Sequence, residues 1–348
     1  MPKLSRRGFT TLAASVAASA TWPEPLNAAT SATRTLGKNG PKVPPVGIGC
    51  NNFGGTIDEA ATKRVIDAAL DSGAALFDTA NVYASGRSEE FIGRALGARR
   101  SRAIIATKFG NPMRSSNFPQ GGASRAVVIE AVEASLKRLG TDYIDLFQLH
   151  VPDPKAPIEE TLRAMDDVVR QGKVRFVGHS NFDGVMTHAA AKVSADNKIT
   201  AFVSAQNQYS LLTRDIEKEL VPACMAHGLG VLPYFPLESG LLTGKYKRGE
   251  KPAEGTRMAN WASRAPEATE RFLNDDKFTK VEKLQALCEA NGNTLLDMAF
   301  GWLLNKPYIA TVIAGATKPE QVEANVKAAA WRPSPEIDNE IDKVTKAA

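Results

Sequence analysis

The feature that most restricts the fold is an alternation. Eight short apolar runs recur along the chain: VGIGC (46–50), ALFDT (75–79), AIIATK (103–108), YIDLFQLH (143–150), VRFVGHS (174–180), AFVSAQNQ (201–208), LGVLPYF (229–235) and IATVIAG (309–315). None exceeds eight residues, and each suits a strand buried on both faces. Between and after them lie amphipathic stretches at about 58–72, 88–98, 123–139, 158–171, 183–196, 214–227, 294–305 and 319–329. In 123–139, Ala126, Ile129, Val132, Leu136 and Leu139 fall near one helical face, and Gly140 follows as a C′ glycine would. Eight strands alternating with eight helices predict a (β/α)8 TIM barrel. A doubly wound sheet is the alternative. It asks for G-x-G-x-x-G after the first strand, and Gly47-Ile48-Gly49-Cys50-Asn51-Asn52 lacks the third glycine.

Three segments fall outside the alternation. Residues 33–44, with a KNG turn, predict an N-terminal β-hairpin that plugs the barrel floor. Residues 236–276 read as a long polar loop after the seventh strand, a length that is usually functional or disordered. Residues 336–348 predict a surface helix. Residues 31–348 are therefore expected to form a single barrel domain, large enough to bury its core without disulfides or metals.

Residues 1–30 read differently. Lys3, Arg6 and Arg7 precede an Ala-rich apolar stretch, and Ala18-Ser19-Ala20 is an A-x-A-like cleavage site. Ser5-Arg6-Arg7-Gly8-Phe9 resembles a bacterial twin-arginine signal, which implies the twin-arginine export machinery as a partner and a periplasmic location, with the cytoplasm as alternative. The stretch is too short to span a membrane. Cleavage after Ala20 would remove three basic residues and no acidic ones, so the formal charge of +5 gives no argument for nucleic acid. Cys50, Cys224 and Cys288 are odd in number and show no C-x-x-C spacing, hence no zinc or redox motif, and no metal site is expected.

In a β/α barrel the chemistry sits at the C-terminal strand ends. Here those ends carry Asp78 followed by Tyr83, then Lys108, His150, His179-Ser180-Asn181, Gln206-Asn207 and Tyr234. A tyrosine is a weak acid near neutrality, and a neighbouring ammonium is expected to lower its pKa. Lys108 could do this for Tyr83, with Asp78 holding Lys108 charged, while a neutral His150 hydrogen-bonds a carbonyl oxygen. Such a set could protonate the alkoxide formed when hydride reaches a carbonyl. None of the four can supply hydride, so a nicotinamide cofactor is needed. Ser180, Asn181 and Gln206 suit its carboxamide, Tyr234 offers a flat face, and Asn51 is expected to face the cofactor as well. Gly315, Ala316, Thr317 and Lys318 open a helix whose free N–H groups favour phosphate, and Lys318 leans the choice towards NADP, with NAD possible.

These segments resemble the aldo-keto reductases over roughly residues 34–330. FDTANVYASGRSEE resembles the family's Asp-and-Tyr segment, ATKFG its lysine strand and DYIDLFQLHVPDP its histidine strand. GHSNF and SAQNQYSLL resemble its carboxamide-binding segments, YFPLESGLLTGKY its pyrophosphate loop and GATKPEQVEAN its adenosine end. The resemblance implies a catalytic tetrad of Asp78, Tyr83, Lys108 and His150, with Tyr83 as proton donor. It implies Leu237, Ser239 and Lys245 along the pyrophosphate, and Thr317, Lys318, Gln321 and Asn325 at the adenosine. It implies an NADP-dependent reductase of aldehydes or ketones acting on a small-molecule carbonyl substrate. SLLTRDIEKELVPAC (210–224) also resembles the potassium-channel β-subunit branch, which implies a cofactor-binding accessory or redox-sensing protein as the alternative. Three residues depart from the pattern. Gln321 stands where many relatives carry arginine, Ala324 where many carry an acid, and Glu238 puts a negative charge beside the expected pyrophosphate path. Asn51, Asn52, Phe53, Phe118 and Trp261 are expected at the mouth.

Overall fold

A computed structural model describes residues 33–346; the expected export signal at 1–30 lies outside the described residues. Strands β1 (Arg34–Thr35) and β2 (Lys42–Val43) pair antiparallel. Between them Leu36 is fully buried, and Gly37, at φ 64°, lies so close to the Gly228 carbonyl that a Cβ would approach it to 2.5 Å. Leu36 and Val43 cluster with Leu76, Ala106, Leu146 and Leu232, so the hairpin plugs the barrel floor.

Eight parallel strands follow: β3 (Val46–Gly49), β4 (Leu76–Asp78), β5 (Ile104–Phe109), β6 (Ile144–Leu149), β7 (Val174–Ser180), β8 (Ser204–Gln208), β9 (Gly230–Tyr234) and β10 (Val312–Gly315). From β3 to β9 each pairs with the next in chain order, and β10 pairs with β3. The barrel closes between β9 and β10 through one bridge, Val231 with Ile309, supported by Val231 N–H donating to the Tyr308 carbonyl at 2.8 Å.

The period-two alternation of a strand sorts its side chains. On β4, β5 and β6, Leu76, Ala106 and Leu146 face the barrel interior, while Phe77, Ile105 and Phe147 face the helices. Two residues further along, the inward positions are Asp78, Lys108 and Gln148. The same pleat that fills the floor with apolar groups therefore delivers polar ones to the rim.

The helices are α1 (Glu59–Asp71), α2 (Arg87–Leu96), α3 (Arg125–Leu139), α4 (Ile158–Arg170), α5 (Gly184–Asn197), α6 (Leu220–His227), α7 (Arg257–Arg264), α8 (Pro266–Phe272), α9 (Asp275–Ala290), α10 (Leu295–Leu304), α11 (Pro319–Ala328) and α12 (Pro335–Thr345). Their starts are capped locally: Asp58 accepts from Ala61 N–H, Asp183 from Met186 N–H, and Thr294 with Asp297 forms a capping box. Gly140 ends α3 in the left-handed region, as its position predicts.

The expected long loop at 236–276 is instead largely helical. It holds a 3-10 turn over Glu238–Thr243, then α7 and α8, with Thr256 capping α7 and Pro266 opening α8. The helix α9 is absent from the sequence expectation, yet its signals are present: Asn274 as cap, two aspartates in the first turn, and buried Phe278, Val281, Leu284 and Cys288. Its many charged residues mask that stripe.

Candidate active site

Lys108 is fully buried, and its Nζ donates to Asp78 Oδ2 at 2.7 Å and to the Thr79 carbonyl at 2.9 Å. Burial alone would strip the proton from this ammonium, but Asp78 and Tyr83 outweigh it and hold the lysine above its ordinary pKa. Asp78 has a second set of partners. Its Oδ1 accepts from Gln206 Nε2 at 2.8 Å and lies 3.4 Å from Gln148 Nε2. Gln148 pairs in register with Lys108 and is fully buried, and sequence reasoning did not single it out. The available signal was a glutamine at the inward position two residues before His150.

Tyr83 arrives on the loop after β4. Asn81 N–H donates to the Lys108 carbonyl at 3.1 Å, which lays this loop across the end of β5. A 3-10 turn over Tyr83–Gly86 then turns sharply through Ala84 and Ser85, at φ 50° and 57°. The Tyr83 ring centroid lies 5.4 Å from Lys108 Nζ and 5.9 Å from the His150 ring, edge to face. The expected lowering of the tyrosine pKa does not occur. Burial pushes the phenol up, and Lys108 offsets this only in part. His150 is neutral as expected: burial, and then the Lys108 charge, push it down to about 3. Its buried Nδ1 has no hydrogen-bond partner among the described residues.

Beside this group lies a hydrogen-bonded cluster. Ser180 Oγ donates to the Gln206 carbonyl at 2.7 Å. Asn181, at φ 61°, donates from Nδ2 to the His150 carbonyl at 2.8 Å and to Ser180 Oγ at 3.1 Å. Tyr234 O–H donates to Asn181 Oδ1 at 2.9 Å. Two other strand-end candidates are structural. His179 points outward and stacks on Phe182 at 4.4 Å, and Asn207 donates to the Phe182 carbonyl.

A cleft of about 1080 Å³ runs from Asp78, Tyr83 and His150 to the start of α11. Asn51, Ser180, Asn181, Gln206 and Tyr234 line its inner part. Leu237, Ser239 and Lys245 line the middle, and Gly315, Thr317, Lys318, Gln321 and Asn325 the far end. Lys108 does not reach the cleft and lies beneath Asp78 and Tyr83. Ala324 lines the cleft, and Gln321 Oε1 accepts from Thr317 N–H at 2.8 Å, which ties its amide to the loop.

Glu238 does not oppose the pyrophosphate path as expected. It is fully buried away from the cleft, accepting from Ser210 Oγ and Lys277 Nζ, each at 2.5 Å, and from Thr213 Oγ1 at 2.8 Å. This anchor holds a left-handed run through Glu238, Ser239 and Gly240, at φ 47°, 54° and 102°. Glycine suits the last position, because its φ of 102° lies in the region that L side chains rarely adopt. Among the described residues Ser239 Oγ is left buried without a partner at the cleft wall.

Sequence reasoning missed Arg257, the first residue of α7. It lines the cleft, and its Nη2 lies 3.4 Å from Asn52 Oδ1. The signal was the Thr-Arg pair where Thr256 caps a helix. Of the expected mouth residues, Asn52 and Trp261 line the cleft. Phe53 is fully buried, and Phe118 lines a separate small cavity, so both are packing residues.

A dinucleotide fits these residues. The cleft has a volume of about 1080 Å³, an amide-rich end, cations at Lys245, Arg257 and Lys318, and, among the described residues, unpartnered polar atoms on His150 and Ser239. The catalytic end can hydrogen-bond a carbonyl oxygen and pass it a proton. Among the described residues no group of three or more His, Cys, Asp or Glu could hold a metal, and no helix is long and apolar enough to cross a membrane.

The family model described as "Aldo/keto reductase family" matches residues 45–346. A protein of Arabidopsis thaliana named "Probable voltage-gated potassium channel subunit beta" is 35% identical over 324 residues, covering 90% of this chain and 96% of that one. The L-glyceraldehyde 3-phosphate reductase of Escherichia coli K12 is 32% identical over 303 residues, covering 85% and 86%. A Bacillus subtilis protein named aldo-keto reductase YhdN is 33% identical over 315 residues, covering 86% and 89%.

Proposed function

The chain belongs to the aldo/keto reductase family, and we propose that it reduces aldehyde or ketone carbonyls to alcohols with NAD(P)H, NADPH being preferred. One observation carries this reading. A fully buried ammonium, Lys108, is fixed by Asp78 at 2.7 Å beneath the ring of a cleft-lining tyrosine. That placement has little structural purpose and a clear chemical one.

Tyr83 is the proton donor. Its raised pKa keeps the phenol protonated across the neutral range, and Lys108 stabilises the phenolate as the proton leaves. Asp78 keeps Lys108 charged and aimed. Neutral His150 hydrogen-bonds the substrate oxygen and orients it towards Tyr83. The nicotinamide cofactor supplies hydride when bound. Ser180, Asn181 and Gln206 hold its carboxamide, and Tyr234, tethered through Asn181, supports its ring. Ser239, Lys245 and Arg257 meet the phosphates; Thr317, Lys318, Gln321 and Asn325 meet the adenosine end. Lys318 supports the preference for NADPH. The test is a panel of carbonyl substrates with NADPH and NADH side by side, on the native chain and on Tyr83→Phe. Turnover undiminished in that variant would remove the proposed acid.

The similarity to a channel β-subunit supports a second reading, a cofactor-binding accessory protein with little turnover. Tight cofactor binding with no oxidation of bound NADPH by any carbonyl in the panel would favour it. We also propose residues 1–30 as a twin-arginine export signal for the periplasm. Cell fractionation and sequencing of the mature N-terminus test this; a cytosolic protein retaining Met1 or Pro2 would contradict it.

A further inference from the structure

Of the four histidines in the chain, His150 and His179 are in or beside the barrel mouth, and the other two meet on the outer surface. His188 on α5 and His227 at the end of α6 are exposed, with Nδ1 of the first 2.8 Å from Nε2 of the second. Their rings stand 4.9 Å apart between centroids, at 77°. Two lone-pair sites converge on one point, where a single proton now holds them together. We propose that His188 and His227 form a binding site for a late first-row divalent cation of the Zn2+, Ni2+ or Cu2+ class, which takes the place of that shared proton.

The geometry needs little adjustment. Metal–imidazole bonds of about 2.0–2.1 Å at a tetrahedral angle separate two nitrogens by roughly 3.4 Å, so the rings need to part by only about half an ångström. Both imidazoles stand on packed helices, which limits the freedom lost on binding. The surroundings favour a cation. His227 is the last residue of α6, where the unpaired carbonyls give the helix its negative end. Lys192, one turn beyond His188, is turned to Asp196 at 2.7 Å. Imidazole donors select this class of ion over magnesium or calcium. No third His, Cys, Asp or Glu completes the site among the described residues, so water fills the remaining positions and the affinity is moderate.

The ion would clasp two helices with a functional connection. α5 begins three residues after Asn181, and α6 leads into β9, which ends in Tyr234. The clasp therefore joins, on the outside, the two units whose inner ends share the Tyr234–Asn181 hydrogen bond.

The test uses the full chain without a histidine tag, titrated with Zn2+ and Ni2+ near pH 7.5. Saturable binding of about one ion per chain is expected, weakened about tenfold or more by His188→Ala or His227→Ala alone. On the unaltered chain, Zn2+ should shift the imidazole NMR signals of His188 and His227 and leave those of His150 and His179 in place. Absence of saturable binding, binding that survives in both variants, or shifts confined to the other two histidines would each overturn the site.

Discussion

Gln206 on β8 reaches across the barrel mouth to Asp78 on β4, its Nε2 donating to Oδ1 at 2.8 Å. A residue of the proposed carboxamide site thus helps to hold the carboxylate that aims Lys108. On the proposed reading, cofactor binding and catalytic geometry share this side chain. Gln206→Met should therefore weaken cofactor binding and also lower single-turnover hydride transfer at saturating cofactor. Hydrogen bonds to charged groups are worth about 1.5–3 kcal/mol, which sets the loss at roughly ten- to a hundredfold. A change in cofactor affinity alone would separate the two roles.

Tyr83→Phe should lower carbonyl reduction by about 100- to 10,000-fold, the usual range for a general acid. Cofactor affinity, read by quenching of protein fluorescence, should change no more than about twofold.

Lys108→Met strands Asp78 in a buried site. Removing one partner of a buried pair costs about 3–5 kcal/mol, and the penalty falls when the other charge goes too. Denaturant unfolding should show Lys108→Met less stable than the double variant Lys108→Met/Asp78→Asn, with both inactive.

His150 and His179 are both pushed from 6.5 down to about 3 by burial, His150 further by Lys108. Between these values the unfolded chain binds protons that the folded chain refuses, so stability rises with pH through this window. It is fully present above about pH 6.5 and is lost as pH falls towards 3. Replacing His179 with leucine should flatten the acid limb by about one proton, and carbonyl reduction should show no inflection from His150 between pH 5 and 8.

Glu238 offers a choice between two outcomes. If its charge opposed the pyrophosphate, Glu238→Gln would tighten cofactor binding. Because it anchors the left-handed run through Ser239 and Gly240 by way of Lys277, Ser210 and Thr213, the expected result is weaker binding and faster cofactor release, with Lys277→Met acting in the same direction. Stopped-flow dissociation of NADPH distinguishes them.

Much of this was legible in the chain. The barrel follows from eight buried runs of matching length, and the meeting of Asp78, Tyr83, Lys108 and His150 at one rim follows from their places at or just after strand ends. Other parts depend on geometry that no local pattern encodes. The direction of the Tyr83 shift is decided by how deeply the loop buries the phenol, which sequence cannot weigh against one ammonium. Arg257 reaches the cleft only because the chain after β9 folds into α7 rather than running as a loop. Glu238 is neutralised by Lys277, 39 residues away, on a helix whose apolar stripe is hidden among charges.

The closure between β9 and β10 rests on Val231 and Ile309, whereas β4, β5 and β6 are laddered over several consecutive pairs. Asp78 and Lys108 stand on the continuously laddered side, and the segments after β9 and β10, which line the far half of the cleft, flank the one-bridge seam. The seam between β9 and β10 thus separates the two segments that line the far half of the cleft.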